Sequence, residues 1–183
     1  MITKTILTFI LITLFSSTSY SQKIKKNEID EFTKNIVIET DWSTFTFVFS
    51  GYSYFRVRKI DELTLLDLRF VLNDEYYSIR KGDKLMFINE DKEVYEVYAA
   101  DNYMSCTGCG SVGLMGSKAL GIRPNYIISD EIIDKMISKK IIKFRIYTTD
   151  GYSDFELSNK NYNKLKKALI NVSEAYLEYK NAL

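Results

Sequence analysis

The chain has 183 residues, with 25 Lys and Arg against 24 Asp and Glu, and it contains no histidine. Without histidine the protein cannot use a histidine general base, a Ser-His or Cys-His nucleophile pair, or a histidine-ligated metal. A charge balance near zero argues against nucleic acid as a partner, because nucleic-acid-binding domains usually carry a basic excess. The length suits one domain.

The N-terminal residues have the layout of a secretory signal peptide. Lys4 supplies a positive charge, residues 6–15 are apolar apart from two threonines, and Ser19-Tyr20-Ser21 provides small residues for cleavage. The apolar run is shorter than the ~20 residues that span a bilayer, and no later stretch is apolar enough to do so. We therefore expect residues 1–21 to be removed and residues 22–183 to form one exported domain, periplasmic or secreted, without a transmembrane segment.

The predicted elements after this leader are mostly strands. Residues 23–35 are polar and are expected to form a loosely held lead-in. From Thr44 to Arg58 apolar and polar residues alternate, which predicts a strand pair or one long bent strand with Gly51 at the turn or bulge. The apolar residues of one parity, expected to face the core, are Phe45, Phe47, Phe49, Phe55 and Val57.

The same alternation continues in the next predicted strand. In residues 63–71, Leu66, Leu68 and Phe70 face one way, and Asp67 and Arg69 the other. A hairpin with a polar connection is predicted from residues 84–88 and 94–100, followed by a short strand at 125–128. A second hairpin is predicted at 141–157, with Asp150-Gly151 at its turn. In the second hairpin the inward residues are expected to be Ile142, Phe144 and Ile146.

Two helices are predicted near the C-terminus. Residues 129–140 begin with Ser129 or Asp130 as a cap and end on lysines, which complements the helix dipole. In the last segment an amphipathic helix is predicted from spacings of three and four between Tyr162, Leu165, Leu169, Val172 and Tyr176. Many strands without βαβ alternation predict an α+β fold: a mostly antiparallel, curved or barrel-like sheet with a C-terminal amphipathic helix and one shorter helix.

Both cysteines lie in the Gly-rich stretch CTGCGSVGLMGSKALG, where Cys106 and Cys109 form a C-x-x-C motif. In an exported protein we expect them to form a structural disulfide that pins a turn. The alternative is a periplasmic thiol–disulfide protein using this pair, but glycines at 110, 113 and 116 oppose the helix that redox motifs require. Two thiolates without histidine also make a poor metal site, so no metal is expected.

The letters GCGSVG within this stretch match a dinucleotide-binding fingerprint only weakly. That motif needs a helix immediately after the glycines, within a βαβ unit, and neither is predicted here. We expect no nucleotide and no other cofactor.

Tyrosines and arginines recur on the predicted outer strand faces, and these two residue types often anchor binding surfaces. The residues that form this candidate binding face are Tyr52, Tyr54, Arg56, Arg58, Lys143, Arg145 and Tyr147. The alternative is that the tyrosines cover a second sheet face or pack under the C-terminal helix. We expect a binding or envelope-accessory domain without catalytic residues, with an unknown protein or glycan partner; a carboxylate-based hydrolase is a further alternative.

Several segments together resemble a group of small exported bacterial proteins of unknown function. Beside the signal peptide they are IDEFTKNIVIETDW (29–42), KIDELTLLDLRF (59–70), KGDKLMF (81–87), CTGCGSVGLMGSKALGI (106–122) and KIIKFRIYTTDGYSDFEL (140–157) with the lysine-rich helix after it. The resemblance implies a single exported domain, and it assigns no catalytic residues.

Overall fold

The computed structural model describes residues 23–48, 51–72, 75–110 and 119–182. The expected signal peptide, Phe49 and residues 111–118 of the Gly-rich stretch lie outside the described residues. Within these ranges the strands are β1 (Ile24–Ile29), β2 (Ile36–Thr40), β3 (Ser43–Val48), β4 (Gly51–Ile60), β5 (Leu63–Val71), β6 (Ser78–Ile79), β7 (Lys84–Asn89), β8 (Val94–Ala99), β9 (Tyr103–Met104), β10 (Cys106–Thr107), β11 (Leu120–Ile122), β12 (Asn125–Ile128), β13 (Ile141–Thr148) and β14 (Gly151–Glu156).

These strands form one large antiparallel sheet and a separate pair, β6 with β9. The main order is β1-β2-β4-β5-β12-β8-β7-β13-β14. Strand β3 pairs with the part of β4 that β2 does not reach. Strand β11 pairs with β5 on one side and with β10 on the other. Because consecutive hairpins are neighbours in this order, the antiparallel, α+β architecture expected from the alternating pattern is confirmed.

The two ends of the sheet approach each other through side chains. The Thr46 hydroxyl donates to the Glu156 carbonyl at 3.2 Å. The Phe45 ring stacks on that of Phe144 with centroids 4.6 Å apart. Since β3 and β13–β14 stand far apart in the strand order, these contacts require a curved sheet. Backbone pairing does not join β3 to β14 among the described residues, so the sheet is not closed and a barrel-like form is not confirmed.

Two helices of the described chain pack on this sheet, α1 (Asp130–Ser138) and α2 (Asn159–Ala182). Ser129 caps α1 with its hydroxyl, and Ile133 and Met136 are buried. The predicted apolar face of α2 is buried across β2, β3 and β4, which confirms the 3.6-residue pattern. The Tyr162 hydroxyl donates to the carbonyls of Met136 and Lys139, both at 3.0 Å, and so fixes α2 against the end of α1. Neither helix is long and apolar enough to cross a membrane.

The expectation of a loose lead-in at residues 23–35 is wrong. Residues Ile24–Ile29 form β1, an edge strand that pairs with β2, and the Tyr179 hydroxyl of α2 donates to the Asn27 carbonyl at 3.0 Å. Lysines and an asparagine dominate this strand, so its apolar pattern is weak, and charged side chains are common on sheet edges because they discourage pairing with another chain. Backbone hydrogen bonds, rather than burial, hold it.

Two inward assignments are also wrong, in both cases because of an irregularity in strand pairing. The β3–β4 register shifts between Thr44 and Phe47, and Phe47 is 59% exposed. A bulge adds one residue to a strand and so reverses the faces beyond it. In β13 the register with β7 shifts between Ile141 and Lys143, so Ile141 takes the buried position and Ile142 is only half-buried.

The third difference concerns β5, which is buried on both faces. Leu66, Leu68 and Phe70 face the core as expected and are fully buried. Asp67, expected on the outer face, points that way but is only 2% exposed. The reason lies in the arginines of β4, whose long side chains fold over it.

Candidate functional site

The four predicted binding residues of β4 share one face, opposite Phe55 and Val57, as the alternation requires. Tyr52 is 60% exposed, and its ring meets the Phe47 ring edge-on with centroids 5.6 Å apart. Tyr54 is half-buried. The exposed part of this half of the face is therefore its tyrosine end.

The β4 arginines form an ion-pair network centred on Asp67. Arg56 lies directly opposite Asp67 in the β4–β5 ladder, and its Nε donates to the carboxylate at 2.7 Å. Arg58 donates to both carboxylate oxygens, at 2.5 and 3.0 Å. Arg56 also contacts Glu39 of β2 at 2.6 Å. Because a buried carboxylate requires paired donors, this arginine network satisfies Asp67 and holds both arginines in place.

Trp42, which follows β2, extends the arginine network. Its ring lies 4.9 Å from the Arg56 guanidinium and 4.2 Å from that of Arg69. Burial, together with the nearby charges of Arg123 and Arg56, lowers the pKa of Arg69. Cation–π contacts of this kind add stability when partly desolvated. The candidate binding face predicted from the sequence did not include Trp42 or Arg69, because their contact depends on segments that come together only in the fold.

The predicted residues of β13 face β14 across the second hairpin. Arg145 lies opposite Asp154 and forms a bidentate pair with it, at 2.5 and 2.6 Å, while its guanidinium covers the Tyr152 ring at 3.9 Å. Tyr147 lies opposite Tyr152, with ring centroids 5.7 Å apart. Hydrogen bonding to Asp154 raises the pKa of Arg145, and hydrogen bonding from Arg145 lowers the pKa of Asp154. The hairpin thus presents a preformed cation–aromatic cluster.

A cavity of about 180 Å³ lies beside this cluster. We call it the β13 groove; it is lined by Met86 and Ile88 of β7, Val94 of β8, Lys143, Phe144 and Arg145 of β13, and Asp154 of β14. Val94 is 48% exposed and Tyr152, next to Arg145, is 59% exposed. The groove therefore combines an apolar floor with charged groups at its side, which is the usual composition of a ligand site.

The predicted face consists of two clusters whose contacts lie on different strands. The β4 residues contact Phe47, Glu39 and Asp67, whereas the β13 residues contact Tyr152, Asp154 and Glu156. The partners on β14 could have been read from the predicted hairpin, since its register places Asp154 opposite Arg145. The partners on β2 and β5 required the fold.

The cysteines lie at disulfide-bonding distance on a turn that leaves β10, with Cα atoms 5.3 Å apart. The Cys109 amide donates to the Cys106 carbonyl at 3.1 Å, and Gly108 has φ of +84°, which a type II turn needs at its third position. Arg123 donates to the carbonyls of Cys109 and Gly108, at 2.6 and 3.3 Å. Cys106 thus belongs to a strand, not to a helix N-terminus.

Glycines join this turn to the sheet. A Cβ atom on Gly121 would lie 2.2 Å from the Gly110 amide nitrogen and 2.6 Å from the Phe70 carbonyl. Only glycine permits so close a backbone crossing. The glycines at 110 and 121 therefore have a packing role.

No three cysteine or carboxylate side chains of the described residues come together as metal ligands. The chain matches no protein-family model, no curated protein and no solved structure. The resemblance to small exported proteins therefore remains an expectation.

Proposed function

We propose that the protein is an exported, non-catalytic binding domain that holds a partner in the β13 groove. The observation that carries this proposal is the cavity itself, because two residues of the predicted binding face, Lys143 and Arg145, line it beside an apolar floor. Tyrosine and arginine at the centre of a surface are the side chains that most often dominate binding energy.

The cluster beside the groove is held in position before any partner arrives. Arg145 is fixed from two sides, by the Asp154 carboxylate and by the Tyr152 ring. Ordering a free arginine side chain on binding costs about 0.5–1.5 kcal/mol, and a side chain already held avoids most of that cost. The groove can therefore bind with little rearrangement.

The β4 half of the face supports the proposal less well. Arg56 and Arg58 have side chains only 21% and 20% exposed, and both are engaged with carboxylates. Their hydrogen bonds stabilise the sheet, and a partner would have to compete with a buried ion pair for them. We assign the binding to the groove, and Tyr52 is an exposed aromatic residue of the other cluster.

The partner we expect is a protein or glycan of the cell envelope, consistent with the expected export. The test uses immobilised protein of residues 22–183 and solubilised envelope extract, with Arg145→Ala and Tyr152→Ala as variants. Tyr152 is included because its ring holds Arg145 in place, and Tyr76→Ala is the matched control, because Tyr76 is 67% exposed and belongs neither to the groove lining nor to the cluster around Arg145. Folding of each variant is checked by circular dichroism.

We expect the unmodified protein and the control to retain one component that both groove variants lose. Protease treatment of the extract removes a protein partner, and periodate oxidation removes a glycan. Equal retention by all four proteins would contradict the assignment to the groove.

A further inference from the structure

A second cleft, separate from the β13 groove, lies where α1, α2 and the β4–β5 turn meet. Its volume is about 220 Å³. Asp130, Ile133 and Asp134 line it from α1 at positions i, i+3 and i+4, which place them on one helical face. From α2 it is lined by Ser173, Tyr176, Leu177 and Lys180, again at spacings of three and four. Two helix faces therefore form opposite walls; we call this the lysine cleft.

The base of the lysine cleft is Lys59, near the end of β4. Its side chain is only 6% exposed, which is unusual because a buried ammonium group loses its hydration. Strand alternation turns it inward, since Arg58 faces outward toward Asp67. The aliphatic part of Lys59 thus enters the edge of the core, and its ammonium group ends in the cleft.

Protein groups compensate this ammonium only in part. The Lys59 Nζ donates to the Thr64 hydroxyl at 3.1 Å and lies 4.7 Å from the centre of the Tyr176 ring. Within the described part of the chain, the one carboxylate in contact with it belongs to Asp130 and is 3.4 Å away on a side chain that is 75% exposed. An ammonium group has three donors, and an anionic oxygen in the cleft would complete the set.

The walls carry groups of both charges and apolar groups. Lys180 forms a 3.1 Å pair with Glu62, and hydrogen bonds from Lys180 and Tyr176 lower the pKa of Glu62. Asp130 and Asp134 present carboxylates on the opposite wall, one helical turn apart. Leu177, 54% exposed, supplies apolar surface at the opening.

We propose that the lysine cleft binds a small zwitterion, an α-amino acid. Its carboxylate accepts from the Lys59 ammonium, its ammonium group donates to Asp130 and Asp134, and its side chain contacts Leu177. A simple anion would face the three carboxylates of the cleft, and a simple cation would face Lys59 and Lys180. Only a ligand that carries both charges matches both walls.

The experiment is isothermal titration calorimetry of the protein of residues 22–183 with glycine, alanine, leucine, glutamate and lysine. The N-acetyl derivative and the methyl ester of leucine serve as probes that each lack one charge. We expect leucine to bind more tightly than glycine and both derivatives to bind at least about tenfold more weakly than leucine, because each loses a hydrogen bond to a charged group.

The variants are Lys59→Met, which keeps the aliphatic chain, and Asp134→Asn at the exposed wall, which has little effect on folding. Lys166→Met on α2, outside the cleft, is the matched control. We expect both cleft variants to weaken leucine binding by about tenfold and the control to bind normally. Should Lys59→Met unfold, Asp134→Asn decides alone. The proposal is overturned if no amino acid binds, if the derivatives bind as well as leucine, or if Asp134→Asn binds unchanged.

Discussion

Arg58 donates hydrogen bonds to both carboxylate oxygens of Asp67, at 2.5 and 3.0 Å, although Asp67 lies two residues along β5 from the direct partner of Arg58 in the β4–β5 ladder. The pair shows that an outward arginine need not be available to a partner. The Arg58 side chain covers the Asp67 carboxylate, so that both side chains are largely buried.

Replacing Asp67 should therefore strongly destabilise the fold. Asp67→Asn removes the charge that holds Arg56 and Arg58, and breaking a buried pair on one side typically costs about 3–5 kcal/mol. The measurement is the free energy of unfolding in urea. Asp91→Asn is the matched control, since Asp91 pairs with Lys139 through a side chain 56% exposed, and such surface pairs contribute about 0–1 kcal/mol. Similar decreases in the free energy of unfolding for both variants would show that the arginine network stabilises the fold no more than a surface ion pair does.

The pH dependence of the Arg145–Asp154 pair can be predicted from the pKa of Asp154, which its hydrogen bond from Arg145 lowers. A carboxyl group with a lowered folded-state pKa stabilises the fold above its ordinary value of about 3.9, and this contribution disappears as the pH falls through the lowered pKa. NMR titration of the Asp154 carboxyl carbon in the unmodified protein should give a midpoint below about 3.9, the ordinary pKa of an aspartate. In Arg145→Gln the midpoint should return toward that value, and an unchanged midpoint would be inconsistent with the pair.

The disulfide should stabilise a turn without carrying out redox chemistry. For a ring of this size the loop-entropy model gives about 2 kcal/mol, so Cys106→Ser with Cys109→Ser should lower the free energy of unfolding by that amount and leave the fold intact. Urea unfolding of both proteins measures the difference. A loss of cooperative unfolding in the double variant would mean that the disulfide is needed for the whole fold and not only for the turn.

The reduction potential separates this structural role from the alternative of a periplasmic thiol–disulfide protein. We expect a potential below roughly −300 mV, the range of structural disulfides, from equilibration with dithiothreitol. Cys106 lies on a strand and so lacks the helix N-terminus at which redox-active C-x-x-C cysteines sit. A potential near those of known oxidoreductases would favour the redox alternative.

The elements best predicted from the sequence were those whose burial is periodic along a single segment. The buried face of α2 was predicted correctly because Tyr162, Leu165 and Leu169 all lie on one helix. The buried positions Phe144 and Ile146 were predicted in the same way from the alternation along β13. Phe47 could not be placed correctly, because the bulge that exposes it arises only when β3 pairs with β4. A polar edge strand such as β1 has almost no hydrophobic pattern in the sequence, since backbone hydrogen bonds to β2 form it.

The candidate sites follow the same division. Lys143 and Arg145 were identified because outward alternation is a local property, and the groove beside them was not, because Met86 and Val94 come from other strands. Lys59 gave no signal at all. Its role in the lysine cleft depends on Asp130 and Tyr176, which are distant in the sequence and meet only when both helices pack on the end of β4.

The crossing of Gly110 and Gly121 gives the Gly-rich stretch a fixed base. The amides of Gly108 and Gly110 both donate to the Ala119 carbonyl, at 2.9 and 3.2 Å, so the chain returns to the point it left. A segment with anchored ends can change in length at small entropic cost. Gly110 and Ala119 are thus held side by side, and a foreign peptide joined between these two positions would have both of its ends anchored next to the disulfide.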